Sequence, residues 1–202
     1  ELKSKSKLHI SILNESLLCK QLIFVKKTQY GYEYLEGCVA ELTEEFKVIV
    51  ELDRPVNVLP SAIVIGSKLD SDISLNKCRI AFHGVMESFS SCLDDYFIYR
   101  VKEKFGSIDR VVSKGRLIGK GLGFVQKYLG MQVSVIKRND FALVGFAVID
   151  SLFGTSGKFN LTLKEILQDP SEAKYLDLQL RYGQRMFNSE INASFCIDNG
   201  GV

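Results

Sequence analysis

Ten basic side chains crowd the stretch from Phe97 to Arg138: Arg100, Lys102, Lys104, Arg110, Lys114, Arg116, Lys120, Lys127, Lys137 and Arg138. Only Glu103 and Asp109 oppose them, ten against two, so this stretch carries +8 while the whole chain carries +2. An excess of that size makes a positive potential that draws polyanions, phosphate backbones first. The bases often alternate with apolar residues, the pattern of the solvated face of a strand, and such a face is what a ligand meets. Rings are interleaved with them at Phe97, Tyr99, Phe105, Phe124 and Tyr128, and half or more of these are expected in the core. Elsewhere the charge is flat or acidic: residues 1–86 balance eleven bases against eleven acids, and residues 139–202 set five against eight.

Other constellations suggest other chemistry. His83 closes one β-patterned block and Ser156 lies in Gly154-Thr155-Ser156-Gly157 of a second, the residue types that chymotrypsin-like double barrels use as base and nucleophile. Asp94 or Asp95 would have to supply the third member. The competing reading takes His83 as a strand-end residue and Gly154–Gly157 as a hairpin turn whose glycines supply positive φ. That turn, with Lys158 beside it, could also form a nest of backbone N–H groups for a phosphate. No G-x-x-x-x-G-K-[ST] occurs, so the chain lacks a P-loop. Ser67-Lys68-Leu69-Asp70 only mimics a guanine-reading N-K-x-D, and Gly119-Lys120-Gly121-Leu122-Gly123 is read as a flexible loop without dinucleotide spacing. The acidic pairs Glu44/Glu45 and Asp94/Asp95 read as solvated charges.

Cys19, Cys38, Cys78, Cys92 and Cys196 are scattered without a C-x-x-C pair, and His9 and His83 are the only histidines, so no metal site is expected. The apolar neighbours of these cysteines predict buried thiols in a reducing compartment.

These side chains must be positioned by β-structure. The chain has 202 residues, 46% of them hydrophobic and 25% charged, a folded composition able to bury one large core or two small ones. The longest apolar run, Phe141–Ile149, is about half of the ~18–20 residues a membrane helix needs. Period-two or short β-branched runs predict strands at Leu8–Ile12, Leu17–Val25, Phe46–Val50, Ala62–Ile65 and Lys77–Phe82. In the last of these, Cys78, Ile80 and Phe82 are set on one face. Pro55 and Pro60 bracket Val56–Leu59, an edge strand or a crossing loop. After the polar break Glu87–Ser91, strands resume at Tyr96–Val101, Ile108–Val112, Arg116–Ile118, Met131–Ile136, Val144–Ile149, Lys158–Leu163 and Leu176–Tyr182. Leu163–Gln168 could make one helical turn before Asp169-Pro170. The expectation is an all-β protein of two small β-barrel domains, residues 1–87 and 88–202, with few or no helices.

Five stretches carry a resemblance. Val64-Ile65-Gly66-Ser67-Lys68-Leu69-Asp70-Ser71-Asp72 with Cys78-Arg79-Ile80-Ala81-Phe82-His83-Gly84 resembles the third domain of eukaryotic selenocysteine-specific elongation factors, translational GTPases related to EF-Tu. Tyr99–Gly106, Val112 to Lys120 and Ile149-Asp150-Ser151-Leu152-Phe153-Gly154-Thr155-Ser156-Gly157-Lys158-Phe159 are similar to the fourth domain of that family. Asn160 stands where relatives carry a base, and Glu165–Ser171 is shorter than their basic linker.

The resemblance implies an EF-Tu domain III-like first barrel and a β-rich fourth domain for RNA and partner binding. It implies a C-terminal fragment whose GTPase domain, with its GTP and Mg, would lie before Glu1; the fragment itself would be no enzyme and hold no cofactor. The implied partners are selenocysteine tRNA, the ribosome, and the selenocysteine insertion element with its binding protein, in the cytoplasm or also the nucleus. The expected RNA-contact pool is Lys102, Lys104, Arg110, Lys114, Arg116, Lys120, Lys127, Lys137, Arg138 and Lys158, gathered on one outward surface. The alternative functions are a protein-docking module for the insertion machinery, or the double-barrel protease.

Overall fold

The computed structural model of the chain describes residues 7–36, 47–68, 78–154, 156–164, 173, 175–187 and 194–197. The expected fold class holds. The described residues form β-strands, turns and 3-10 turns at Leu93–Asp95 and Val125–Tyr128, with no α-helix among them. They fall into two compact units divided between Tyr99 and Arg100, with Met186 and Phe187 returning to the first.

The first unit is built from β1 (His9–Ile12), β2 (Glu15–Thr28), β3 (Gly31–Tyr34), β4 (Lys47–Leu52), β5 (Ile63–Ser67) and β6 (Ile80–Val85). β1 lies antiparallel between β2 and β5, β5 pairs with β6, and the long β2 also carries β4 and β3. Leu22 and Phe24 enter a core with Leu8, Ile10 and Ile12, whereas Ile23 and Val25 enter another with Ile98. β2 is therefore covered on both faces here, which is why Leu22–Val25 is a continuous apolar run instead of an alternating one. Val56–Leu59 is a loop, not an edge strand. The alternation expected in Lys77–Phe82 fails: Ile80 is exposed while Ala81 and Phe82 both pack on the core, because the register shifts opposite them between Gly66 and Ser67.

The second unit contains most of β7 (Ile98–Ser113), then β8 (Arg116–Lys120), β9 (Gln132–Lys137), β10 (Leu143–Phe153), β11 (Lys158–Leu163), β12 (Leu176–Arg185) and β13 (Ser194–Cys196). The order β7-β8-β11-β10-β9-β12, with β12 pairing back to β7, closes a six-stranded barrel. Its interior holds Leu117, Val133, Val135, Ile149, Phe159, Leu161, Leu178 and Leu180, all with at most 1% exposure. Each such side chain contributes about 1.5–3 kcal/mol relative to its exposed state. Phe159 stands directly opposite Gly119 in the β8–β11 ladder. A Cβ at Gly119 would lie 2.5 Å from that ring, so the glycine is needed for the close approach.

Two predicted strands, Tyr96–Val101 and Ile108–Val112, are one strand, β7, since the residues between them continue the strand, with Lys102, Glu103 and Phe105 exposed. Gly119 and Lys120 belong to β8, leaving only residues 121–123 of the expected flexible loop outside the sheet. The short strands β3 and β13 have no period-two signal long enough to be read in advance. The expected helical turn at Leu163–Gln168 lies largely outside the described residues; Leu163 itself ends β11.

Candidate nucleic-acid interface

β7, β8, β11 and β10 are consecutive in the wall of the second unit, and their registers align side chains in rows on its outer face. One row is Arg110, Ile118, Asn160 and Ser151, each opposite the next. A neighbouring row is Ser113, Arg116, Thr162 and Val148. On the other side Lys120 stands opposite Ser107, and Lys158 opposite Phe153. Because Leu117 and Gly119 point inward, Arg116, Ile118 and Lys120 must point outward. Arg110, Arg116, Lys120 and Lys158 therefore share one wall, and Lys114 occupies the turn joining β7 to β8.

Three β-bulges shape this wall. The ladder skips one residue between Ile108 and Arg110, one between Val111 and Ser113, and one between Ile149 and Ser151. The first and last insert an aspartate, Asp109 or Asp150, and each of these two aspartate bulges re-aims its side chain beside the next residue on the outer face. Asp109 accepts from Lys158 Nζ at 2.8 Å and lies 3.1 Å from Lys120 Nζ. The hydrogen bonds from Lys158 and then Lys120 hold its carboxyl below the ordinary carboxylate range. Asp150 accepts from the Thr162 hydroxyl, while Asn160 Nδ2 donates to Ser151 Oγ at 2.9 Å.

Between the aspartate bulges lies a concavity of about 620 Å³, lined by Arg110, Arg116, Ile118, Asp150, Ser151, Phe153 and Asn160 among others. The Arg110 guanidinium sits 5.4 Å from the centroid of the Phe153 ring, a cation–π contact reaching across the wall. Ile118 lies in the row beneath and is only 1% exposed despite facing outward. Arg116 makes no hydrogen bond or ion pair with another described residue.

The ten expected contact residues are not one surface. Arg110, Lys114, Arg116, Lys120 and Lys158 come together on this wall; the other five do not join them. Lys104 donates to the Leu122 carbonyl at 3.2 Å and lies 5.0 Å over the Tyr128 ring. Arg138 grips Asp177 through two hydrogen bonds of 2.9 and 3.1 Å. Lys127 lies in the 3-10 turn, Lys137 ends β9, and Lys102 is exposed on β7. Two features separate them: the alternation of β7 about its bulges, and the return of β9 on the far side of the barrel. Sequence reading missed Asp109, Asp150, Ser151, Phe153 and Ile118 as parts of one site. The signal available for Asp109 was that it is one of only two acids in the basic stretch.

Of the interleaved rings, only Tyr99 and Tyr128 are buried; Phe105 is 51% and Phe124 83% exposed, against the expectation of core packing. Tyr128 donates to Tyr182 at 3.3 Å inside the barrel. Burial pushes Tyr182 up to about 12, helped by its Tyr128 partner. For Tyr128, burial acts upward, but the Tyr182 hydrogen bond and the Lys104 ammonium outweigh it and the net shift is downward.

The thiols also depart from expectation: Cys78 and Cys92 are exposed, Cys19 and Cys196 half-buried, and Cys38 lies outside the described residues. Burial raises Cys19 to about 11, which keeps it a thiol at neutral pH. Among the described residues no group of three or more His, Cys, Asp or Glu is placed to hold a metal ion. No helix among the described residues is long and apolar enough to cross a membrane. His83 is exposed on β6 and makes no hydrogen bond to a carboxylate among the described residues. Gly154 and Gly157, at φ 66° and 71°, flank the β10–β11 turn, as the hairpin reading requires.

Two all-β units, the second a closed six-stranded barrel with a cation-lined and grooved outer wall, define the class of fold. Comparisons identify the family. Residues 26–84 match the third domain of the selenocysteine-specific elongation factor of eukaryotes, and residues 96–193 match the eEFSec C-terminal RIFT domain. The chain belongs to the eukaryotic selenocysteine-specific elongation factor family and corresponds to its third and fourth domains. It is 34% identical over 152 residues to the selenocysteine-specific elongation factor of Mus musculus, covering 70% of this chain and 25% of the mouse protein.

It is also similar in fold to translation elongation factor SelB from Methanococcus maripaludis. The apo crystal structure gives a TM-score of 0.61, and the complex with the GTP analogue GPPNHP gives 0.60. Identity is 20% in both, over 92% of this chain and 39% of that one. The chain thus spans a minor part of the length of these relatives. The matched segments are C-terminal domains outside the GTPase domain, so no catalytic domain is evident in them.

Proposed function

We propose that the chain is a tRNA-binding C-terminal part of the factor that delivers selenocysteinyl-tRNA to the ribosome at recoded UGA codons. The observation that supports this is the outer wall of the second unit, where Arg110, Lys114, Arg116, Lys120 and Lys158 converge on adjacent strands within the fourth-domain match. Structured RNA is met largely through its phosphates and shape, and a rigid sheet face with fixed cations suits that task. The first unit would hold the tRNA body, as a third-domain barrel of an elongation factor. The ribosome and the insertion element with its binding protein would be further partners, in the cytoplasm. GTP and Mg would belong to another domain of the full protein.

Salt-titrated binding of selenocysteine tRNA against an ordinary elongator tRNA tests the reading. The expected result is a preference for the former and a log–log salt slope of about −4, from about five neutralised phosphates. A slope near zero, or equal affinity for both tRNAs, overturns it.

A second reading, docking to a protein of the insertion machinery, draws on Phe105 and Phe141, which meet edge-to-face at 6.5 Å and are 51% and 66% exposed. Replacing Lys114, Arg116 and Lys120 by Glu separates the two: unchanged tRNA affinity with loss of the protein partner supports docking.

A further inference from the structure

A surface that only attracts phosphates needs cations and little else. The concavity between the two aspartate bulges has more. Two guanidiniums stand over an apolar floor formed by Ile118, next to the Phe153 ring, an amide, a hydroxyl and a carboxylate. Convergent polar groups around an apolar, partly enclosed hollow are the composition of a small-ligand site. Resting on the RNA-binding reading above, we infer that this hollow receives one unpaired nucleotide of the bound RNA, whose base carries an exocyclic amine.

Three features assign the parts of the nucleotide. The first is stacking. The Arg110 guanidinium lies 5.4 Å from the centroid of the Phe153 ring and the ring is 38% exposed, so an aromatic surface braced by a cation is open to a stacking base. Unpaired RNA bases are held by stacking on such aromatic and guanidinium planes.

The second is the polar edge. Asn160 spends one N–H on Ser151, which leaves its Oδ1, its second N–H and the Ser151 hydroxyl proton open to either kind of partner, while Asp150 takes the Thr162 hydroxyl on one oxygen and keeps its remaining lone pairs as acceptors only. The acceptor-only carboxylate matches the amines of adenine, cytosine or guanine and opposes the two carbonyls of uracil.

The third is orientation. Arg116 has no partner among the described residues, so its fork is available for a phosphate, which it can bind through two N–H donors. Asp150 repels that phosphate, so the base is directed toward β10 and the phosphate toward β8.

The test uses the 202-residue chain and a stem-loop RNA with one bulged nucleotide, made as A, C, G or U, beside the same stem fully paired. Affinities are read by fluorescence anisotropy. The bulged A, C and G forms are expected to bind about tenfold tighter than the paired stem, as one stacked and edge-read base would give, with U gaining less. Phe153→Ala and Asn160→Ala should abolish that gain, lowering affinity for the bulged forms several-fold more than affinity for the paired stem. Asp150→Asn should narrow the difference between the amine-bearing bases and uracil. Thermal melting of each variant is followed in parallel, and Asn160→Ser serves as a milder probe should Phe153→Ala lower the melting point.

Equal affinity for bulged and paired RNAs, or a gain untouched by these variants, overturns the nucleotide site and leaves phosphate reading standing. Loss of a protein partner in the same variants with base discrimination intact overturns it in favour of docking. Absence of binding to every RNA at low salt overturns both this inference and the function it rests on.

Discussion

Lys158 on β11 reaches across β8 to donate to Asp109 on β7 at 2.8 Å, and Lys120 approaches the other carboxylate oxygen at 3.1 Å. One bulged acid thus restrains two of the five cations on the outer wall. Asp109→Asn removes the charge without changing the shape and frees both ammoniums for phosphate. Affinity for tRNA should rise several-fold, about two- to tenfold, and the salt slope should steepen by about one. Anisotropy titrations at several salt concentrations read both quantities. A fall in affinity would mean that Asp109 serves by holding the lysines in place, with their charge unused by the RNA.

The same contact carries an acid signature. Lys158 and then Lys120 hold the Asp109 carboxyl below its ordinary value of 3.8. A depressed folded-state pKa stabilises above the unfolded value and the stabilisation is lost as pH falls through the folded one. The Asp109 contribution should therefore be whole at neutral pH and fade only below about pH 4. Chemical denaturation of the wild-type chain and of Asp109→Asn from pH 7 to 2 checks this. The stability gap should hold down to about pH 4 and close beneath it; a gap that persists to pH 2 contradicts the account.

Gly119→Ala should be costly although it adds one methyl group. The new Cβ would stand 2.5 Å from the Phe159 ring and 2.8 Å from Leu178 Cδ1, both inside the barrel. Overpacking of a filled core costs about 1–3 kcal/mol, which denaturant midpoints resolve. Gly115→Ala is the control: a Cβ there meets nothing within 4 Å, so its stability should be near that of wild type. Equal effects of the two substitutions would contradict the packing described for β8.

Much of the fold was readable along the chain because strands announce themselves locally. Leu176–Tyr182 alternates strictly and is a strand whose Leu176, Leu178 and Leu180 are buried. Where local signals failed, a tertiary reason is visible. β2 is covered on both faces at Leu22–Val25, and β7 runs through polar residues that, read alone, seem to end it. The site was less readable than the fold. Arg110 and Arg116 were expected as contacts from charge alone, but nothing in their spacing announced Phe153 or Asn160, about forty residues on, as their neighbours on the same wall.

Composition and period by themselves determined that this chain is all-β, that its positive charge is confined to the middle, and that its motifs match the third and fourth domains of one family. Those are properties of neighbouring residues, and neighbours in sequence suffice to express them. Which cations share a face, which acid restrains them and where the wall is hollow were decided by strand register and by the bulges that interrupt it. A one-residue slip moves every following side chain to the other face, so that information exists only once the strands are paired.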